Sequence, residues 1–133
     1  MLDEKVEALR AGLDAFNRRD KAAWLALVDR EAENLPPRDW PEQAPIRGAD
    51  AIWDFYVDAV SAWDDAAFGW GEFVDVPPDT VVANQRAELR GRTSGAGVIW
   101  SYWVVWTFRE GKIVRIEWFA DRDEALRAAG ASE

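Results

Sequence analysis

The chain reads as an α+β domain, with helices first and an antiparallel sheet after them. Three observations predict this. Apolar residues in the first half recur at helical spacing, those in the second half form long stretches with two-residue alternation, and short turns join those stretches. A single domain over residues 1–133 is expected, because no linker, repeat or low-complexity stretch divides the chain and this length can bury a core without staples.

The first helix is expected over residues 3–17, where Val6, Leu9, Leu13 and Phe16 share a face and Ala8 and Ala15 fill in. Asn17-Arg18-Arg19-Asp20 breaks the period. Asp20 then caps a second, shorter helix through Trp24, Leu25, Leu27 and Val28. Pro36, Pro37, Pro41 and Pro45 forbid regular helix between about 35 and 46 and make this the longest loop. Gly48-Ala49-Asp50 opens a third helix with Ile52, Phe55, Tyr56, Ala59, Val60 and Trp63 on its apolar side.

Four strands follow. The first runs from about Phe68 to Val76 and ends at Pro77-Pro78-Asp79. The second covers Thr80 to Arg92, and Thr93-Ser94-Gly95-Ala96-Gly97 turns the chain into a third, Val98 to Arg109. Glu110-Gly111 makes a tight hairpin into the fourth, Lys112 to Phe119, after which Asp121 caps a short helix.

Strand parity decides which side chains face a cavity. In the third strand Val98, Trp100, Tyr102, Val104, Trp106 and Phe108 share one face, and Ile99, Ser101, Trp103, Val105, Thr107 and Arg109 the other. Both are largely apolar, so one face packs on the helices and lines a cavity while the other meets a second subunit. In the fourth strand Val114, Ile116, Trp118 and Ala120 are the interior set. In the second, Val81, Ala83, Gln85, Ala87 and Leu89 point inward, opposite Asn84, Arg86, Glu88 and Arg90. Gln85 is then the one strongly polar group of its row. It either hydrogen-bonds a ligand or is a core amide satisfied by backbone.

Composition narrows the chemistry. The 25 acidic and 16 basic residues give a formal charge of −9, a field that repels phosphate backbones, so no nucleic-acid partner is expected. With neither histidine nor cysteine, the commonest general base and the usual soft metal ligands are missing. No metal or other cofactor is expected. No stretch approaches the roughly 20 apolar residues of a membrane helix, and the start lacks a signal-peptide run, so a cytoplasmic protein with no membrane partner is expected. Nine tryptophans exceed what a core of this size obviously requires; they belong partly to that core and partly to a ligand pocket or interface.

The strand-turn-strand-helix segment Val104-Val105-Trp106-Thr107-Phe108-Arg109-Glu110-Gly111-Lys112-Ile113-Val114-Arg115-Ile116-Glu117-Trp118-Phe119 to Gly130, with the helices before it, resembles the SnoaL-like branch of the nuclear transport factor 2-like superfamily. That group also includes ketosteroid isomerases and limonene-epoxide hydrolases. The resemblance implies a cone of three N-terminal helices on a curved four-stranded antiparallel sheet, a short C-terminal helix, an internal pocket and a sheet-to-sheet homodimer. It also implies that the proline-rich loop lies across the pocket mouth, bringing Arg38-Asp39-Trp40 to the rim as a polar constellation or as a lid.

The family chemistries transfer poorly. The isomerase carboxylate falls at Leu35, beside Asn34; its oxyanion-hole tyrosine falls at Gly12 and its neutral acid at Val104. One tyrosine of that network survives as Tyr56. Gln85-Arg86-Ala87-Glu88 resembles the epoxide-hydrolase Arg-x-Asp pair, yet the last-strand aspartate of hydrolases and cyclases aligns with Trp118. Arg86 and Glu88 otherwise make a surface ion pair, Asp54 and Asp58 a solvated helix face, and Asp121 a cap. The ligand-binding set expected is Tyr56, Gln85, Trp100, Tyr102, Val104, Trp118 and Asp39, around a small apolar, aromatic or polycyclic molecule. An accompanying isomerase, cyclase or hydrolase activity stays unassigned. Two alternatives stand beside this: a non-catalytic homodimeric scaffold or interaction protein, and a limonene-epoxide-hydrolase-like enzyme using Arg86 and Glu88. Cavity volume discriminates, since drug-sized ligands need about 300 Å³ or more.

Overall fold

The computed structural model describes residues 2–38, 40, 43–61, 63–91 and 97–130, with the backbone alone at 2, 64 and 65. It contains helices α1 (Leu2–Asn17), α2 (Lys21–Leu25), α3 (Ala49–Ser61) and α4 (Arg122–Ala128). Its strands are β1 (Val28–Leu35), β2 (Ile46–Arg47), β3 (Trp63–Val76), β4 (Thr80–Gly91), β5 (Gly97–Arg109) and β6 (Lys112–Phe119). They form one sheet in the order β2-β1-β6-β5-β4-β3. The expected four-stranded antiparallel meander is present as β3 to β6. Two further strands extend it, and β1 lies parallel to β6.

Strand β1 is hidden in the sequence because Asp29, Arg30, Glu31 and Glu33 are poor strand formers. Its buried positions, Val28, Ala32 and Asn34, share one parity. The second helix is accordingly shorter than expected. Asp20 caps it, accepting from the Ala23 N–H at 3.2 Å, but the helix stops at Leu25. The Leu27 carbonyl already accepts from Ile113 at 3.0 Å, which seats the chain beside β6.

Other boundaries shift less. Helix α3 closes at Ser61, so Trp63 opens β3, five residues ahead of Phe68. Glu110 and Gly111 both have positive φ, 53° and 81°, the backbone a tight hairpin needs. Arg92 and the turn Thr93-Ser94-Gly95-Ala96 lie outside the described residues.

The sheet separates two apolar layers. Helices α1, α2 and α3 cover one face, packing Leu9, Phe16, Ile52 and Trp53 on Val81, Ala83, Val104, Trp106 and Ile116. Helix α4 covers part of the other, where Ala125 closes over Val82 and Val105. Trp103 and Val105 were expected at a subunit interface; Val105 is instead 2% exposed under α4 of its own chain. Parity holds along β4 and β5 but slips in β6. A register shift lies between the pairs Thr107–Arg115 and Phe108–Ile113, so Ile113 takes the interior place expected of Val114. Ala120, also expected inside, is exposed past the end of β6.

Candidate functional site

Between the helices and the inner sheet face lies a cavity of about 80 Å³. Helix α1 contributes Leu9, Gly12 and Phe16, α2 contributes Trp24, and α3 contributes Phe55, Tyr56 and Val60. The sheet supplies Asn34, Phe68, Trp70, Gln85, Trp100, Trp106 and Trp118. Pro36, Pro37 and Trp40 come from the proline-rich loop. Six of the nine tryptophans, at 24, 40, 70, 100, 106 and 118, therefore belong to one wall. Trp100 and Trp118 stack at 6.3 Å with planes 25° apart, and Trp40 leans on Trp100 at 6.1 Å and on Phe55 at 5.9 Å. These ring distances are those of favourable aromatic pairs.

The polar centre is Asn34, fully buried. Its Oδ1 accepts from the Tyr56 hydroxyl at 2.5 Å and from the Trp118 indole N–H at 2.8 Å. Three elements, β1, α3 and β6, thus meet on one oxygen. Burial pushes the Tyr56 phenol far above its ordinary value, with the neighbouring Trp118 N–H a weaker opposing influence. Tyr56 is half-buried as a residue, but its hydroxyl sits inside the hydrogen-bonded group. It stays protonated and acts as a donor.

No acidic or basic side chain is among the described residues lining the cavity. Four buried polar atoms of the lining have no partner within the protein: Asn34 Nδ2, Trp70 Nε1, Gln85 Oε1 and Trp106 Nε1. Among the described residues no group of three acidic, histidine or cysteine side chains could hold a metal ion. The wall can stack on a guest and hydrogen-bond to it. Among its described residues, no carboxylate or basic side chain is present to accept a proton.

Of the expected ligand-binding set, Tyr56, Gln85, Trp100 and Trp118 lie in the wall. Tyr102 does not: it packs edge-on against Trp100 at 4.9 Å and Trp118 at 5.8 Å. Val104, fully buried, belongs to the core and pairs with Trp118 across the sheet. Asp39 lies outside the described residues, while its neighbour Arg38 is exposed and Trp40 forms part of the lining. Arg86 and Glu88 are exposed on the outer face and take no part in the wall. Leu35, matched to the isomerase carboxylate, points away from the cavity; the residue reaching it is Asn34, one position earlier. The expected ligand-binding set lacked Asn34, Trp70 and Trp106, although parity puts Trp106 on the same face as Trp100. The 28-32-34 parity of β1 was the signal for Asn34, had that strand been recognised.

Helices over one face of a six-stranded sheet, with a pocket between the two, give the fold of nuclear transport factor 2-like proteins. The chain belongs to the SnoaL-like domain family, which it matches over residues 9–116. A putative isomerase from Bacillus subtilis superimposes with a TM-score of 0.74 at 23% identity, covering 98% of this chain and 96% of the other. TerC, crystallised with polyporic acid, gives 0.73 at 20% identity, covering 96% and 99%. RV0760c from Mycobacterium tuberculosis, in complex with estradiol-17beta-hemisuccinate, gives 0.73 at 15% identity, covering 90% and 95%. No curated protein matches the chain.

Proposed function

We propose that this protein binds a small, flat, largely apolar molecule between its stacked indoles, with Asn34, Tyr56 and Trp118 as the polar end of the site. The observation that carries this reading is that six tryptophans line one cavity together with a buried amide that Tyr56 and Trp118 hold in place. Indole walls favour flat guests through stacking and through apolar area removed from water, at roughly 25 cal/mol per Å². Steroid and polyporic acid complexes of structurally similar proteins support the class of guest. The absence of acidic and basic groups among the described lining residues favours binding over base-catalysed isomerisation, cyclisation or hydrolysis.

The free volume of about 80 Å³ is well below that of a drug-sized site. A bicyclic or larger guest takes room now filled by Trp40, which is carried by a loop and not by the sheet. That loop is gathered by the Gln43 amide, whose Nε2 donates to the carbonyls of Pro37, Arg38 and Trp40. The same small volume favours a second reading, a scaffold whose indoles simply fill the cone. A panel of aromatic and polycyclic compounds separates the two. Saturable quenching of tryptophan fluorescence with a rise in melting temperature is expected, larger compounds gaining in Trp40→Ala. No response from either protein leaves the scaffold reading.

The protein is also read as a cytoplasmic homodimer that binds no nucleic acid, on its cysteine-free, acidic composition and on one uncovered stretch of sheet. On the outer face, Ile99 is 69% exposed, beyond the residues that α4 covers. Ile99→Arg is expected to give monomer in sedimentation velocity; an unchanged dimer mass would place the interface elsewhere.

A further inference from the structure

Resting on the binding reading above, we propose that the pocket selects an uncharged aromatic carbonyl compound, whose oxygens meet indole and amide N–H groups. The four lining atoms without a protein partner are unequal in kind: Asn34 Nδ2, Trp70 Nε1 and Trp106 Nε1 are donors, and Gln85 Oε1 alone is an acceptor. An indole nitrogen can only donate. The same property fixes the Asn34 amide. Trp118 Nε1 donates to Asn34 Oδ1 at 2.8 Å, and the flipped amide would set one N–H against another. Its Nδ2 is therefore the open donor on a residue with no exposed surface.

Buried polar groups in folded proteins are hydrogen-bonded as a rule, so three open donors in one wall are an acceptor-binding surface. They form two stations. Asn34 stands beside Trp118, within the stacked Trp100–Trp118 pair, while Trp70 and Trp106 lie edge to face at 5.9 Å. Charge settles the rest. A carboxylate guest would lose its hydration without meeting a cation, and an ammonium guest without meeting an anion, among the described lining residues. The guest is then neutral, rich in carbonyl-type oxygens, and offers at most a hydroxyl to Gln85.

Equilibrium dialysis with three probes of one shape tests this: 2-acetylnaphthalene, 2-ethylnaphthalene and 2-naphthoate. The ketone is expected to bind about tenfold tighter than its ethyl analogue, which lacks the oxygen; that is the worth of one well-placed hydrogen bond, and the carboxylate should bind more weakly than either. Asn34→Leu or the pair Trp70→Phe/Trp106→Phe should bring the ketone-to-ethyl ratio towards one; the phenylalanine pair keeps the test open if the leucine variant fails to fold. Equal binding of ketone and ethyl compound overturns the acceptor preference and leaves the binding reading intact. Tightest binding by naphthoate overturns neutrality. A ratio unchanged in both variants overturns the assignment of the donors, and no binding by any probe overturns the binding reading as well.

Discussion

Asn34 and Asn84 are both buried amides, one on each side of the same sheet, and they are satisfied in opposite ways. On the α4 side, Asn84 Nδ2 donates to Ser101 Oγ at 2.9 Å and to the Tyr102 carbonyl at 3.1 Å. Gly71, in a β3 bulge, lies so close that a Cβ there would come within 3.2 Å of the Asn84 Cβ. On the cavity side, Asn34 uses its oxygen twice and leaves its nitrogen without a partner in the protein. Around Asn84 the outer layer is packed, and the amide nitrogen is spent on partners within the protein. The cavity side is built with polar groups held in reserve, where a guest can use them.

The sharpest way to break this contrast is Val105→Asp. A carboxylate beneath Ala125 enters a layer whose buried members, Val82, Val105 and Ala125, are all apolar, so a loss of more than about 3 kcal/mol is expected in denaturant unfolding. Near-normal stability would show that α4 does not close that face. Gly71→Ala comes next, expected to cost about 1–3 kcal/mol by overpacking against Asn84. Combining it with Asn84→Ala should give a non-additive result, because relief of the clash offsets part of the loss. Simple additivity would mean the two do not press on each other.

The smallest effect concerns Tyr56 and appears only in alkali. Its folded pKa is raised above the ordinary phenol value of 10.0, so above that pH the unfolded chain gives up the proton first. The folded state then holds more protons, and stability falls as pH rises, by at most about 1.4 kcal/mol per pH unit from this group. The slope of unfolding free energy against pH above about 10 should therefore be shallower in Tyr56→Phe than in wild type. Identical slopes would mean that the hydroxyl is not held in the dry group around Asn34.

The long alternating segments and the Glu110-Gly111 turn made the meander readable from residues alone, because period-two patterning and turn chemistry are local properties. What escaped were features fixed by distant partners. Strand β1 is polar along most of its length and is a strand because β6 lies beside it. Val105 is apolar on an outward face because α4 returns to cover it, and a return of the chain leaves no local mark. The slip that puts Ile113 in place of Val114 inside depends on a bulge between two strands. At the site, the aromatic members on β5 and β6, Trp100 and Trp118, followed from parity. Asn34 did not, since its position depends on the strand that was not legible.

The parallel pairing of β1 with β6 also sets when the pocket can exist. Asn34 and Trp118 are 84 residues apart in sequence, and the strands that carry them flank each other at the heart of the sheet. Contacts of such long range are formed late and slow the search for the native state. On the ribosome, where the chain emerges from its N-terminal end, Asn34 and Tyr56 can pair early, but they must wait for the final hairpin to gain the Trp118 N–H. A nascent chain stalled before β6 therefore has most of the pocket's aromatic residues but lacks the Trp118 donor and the strand that seats β1, so ligand added at that stage meets an unfinished site.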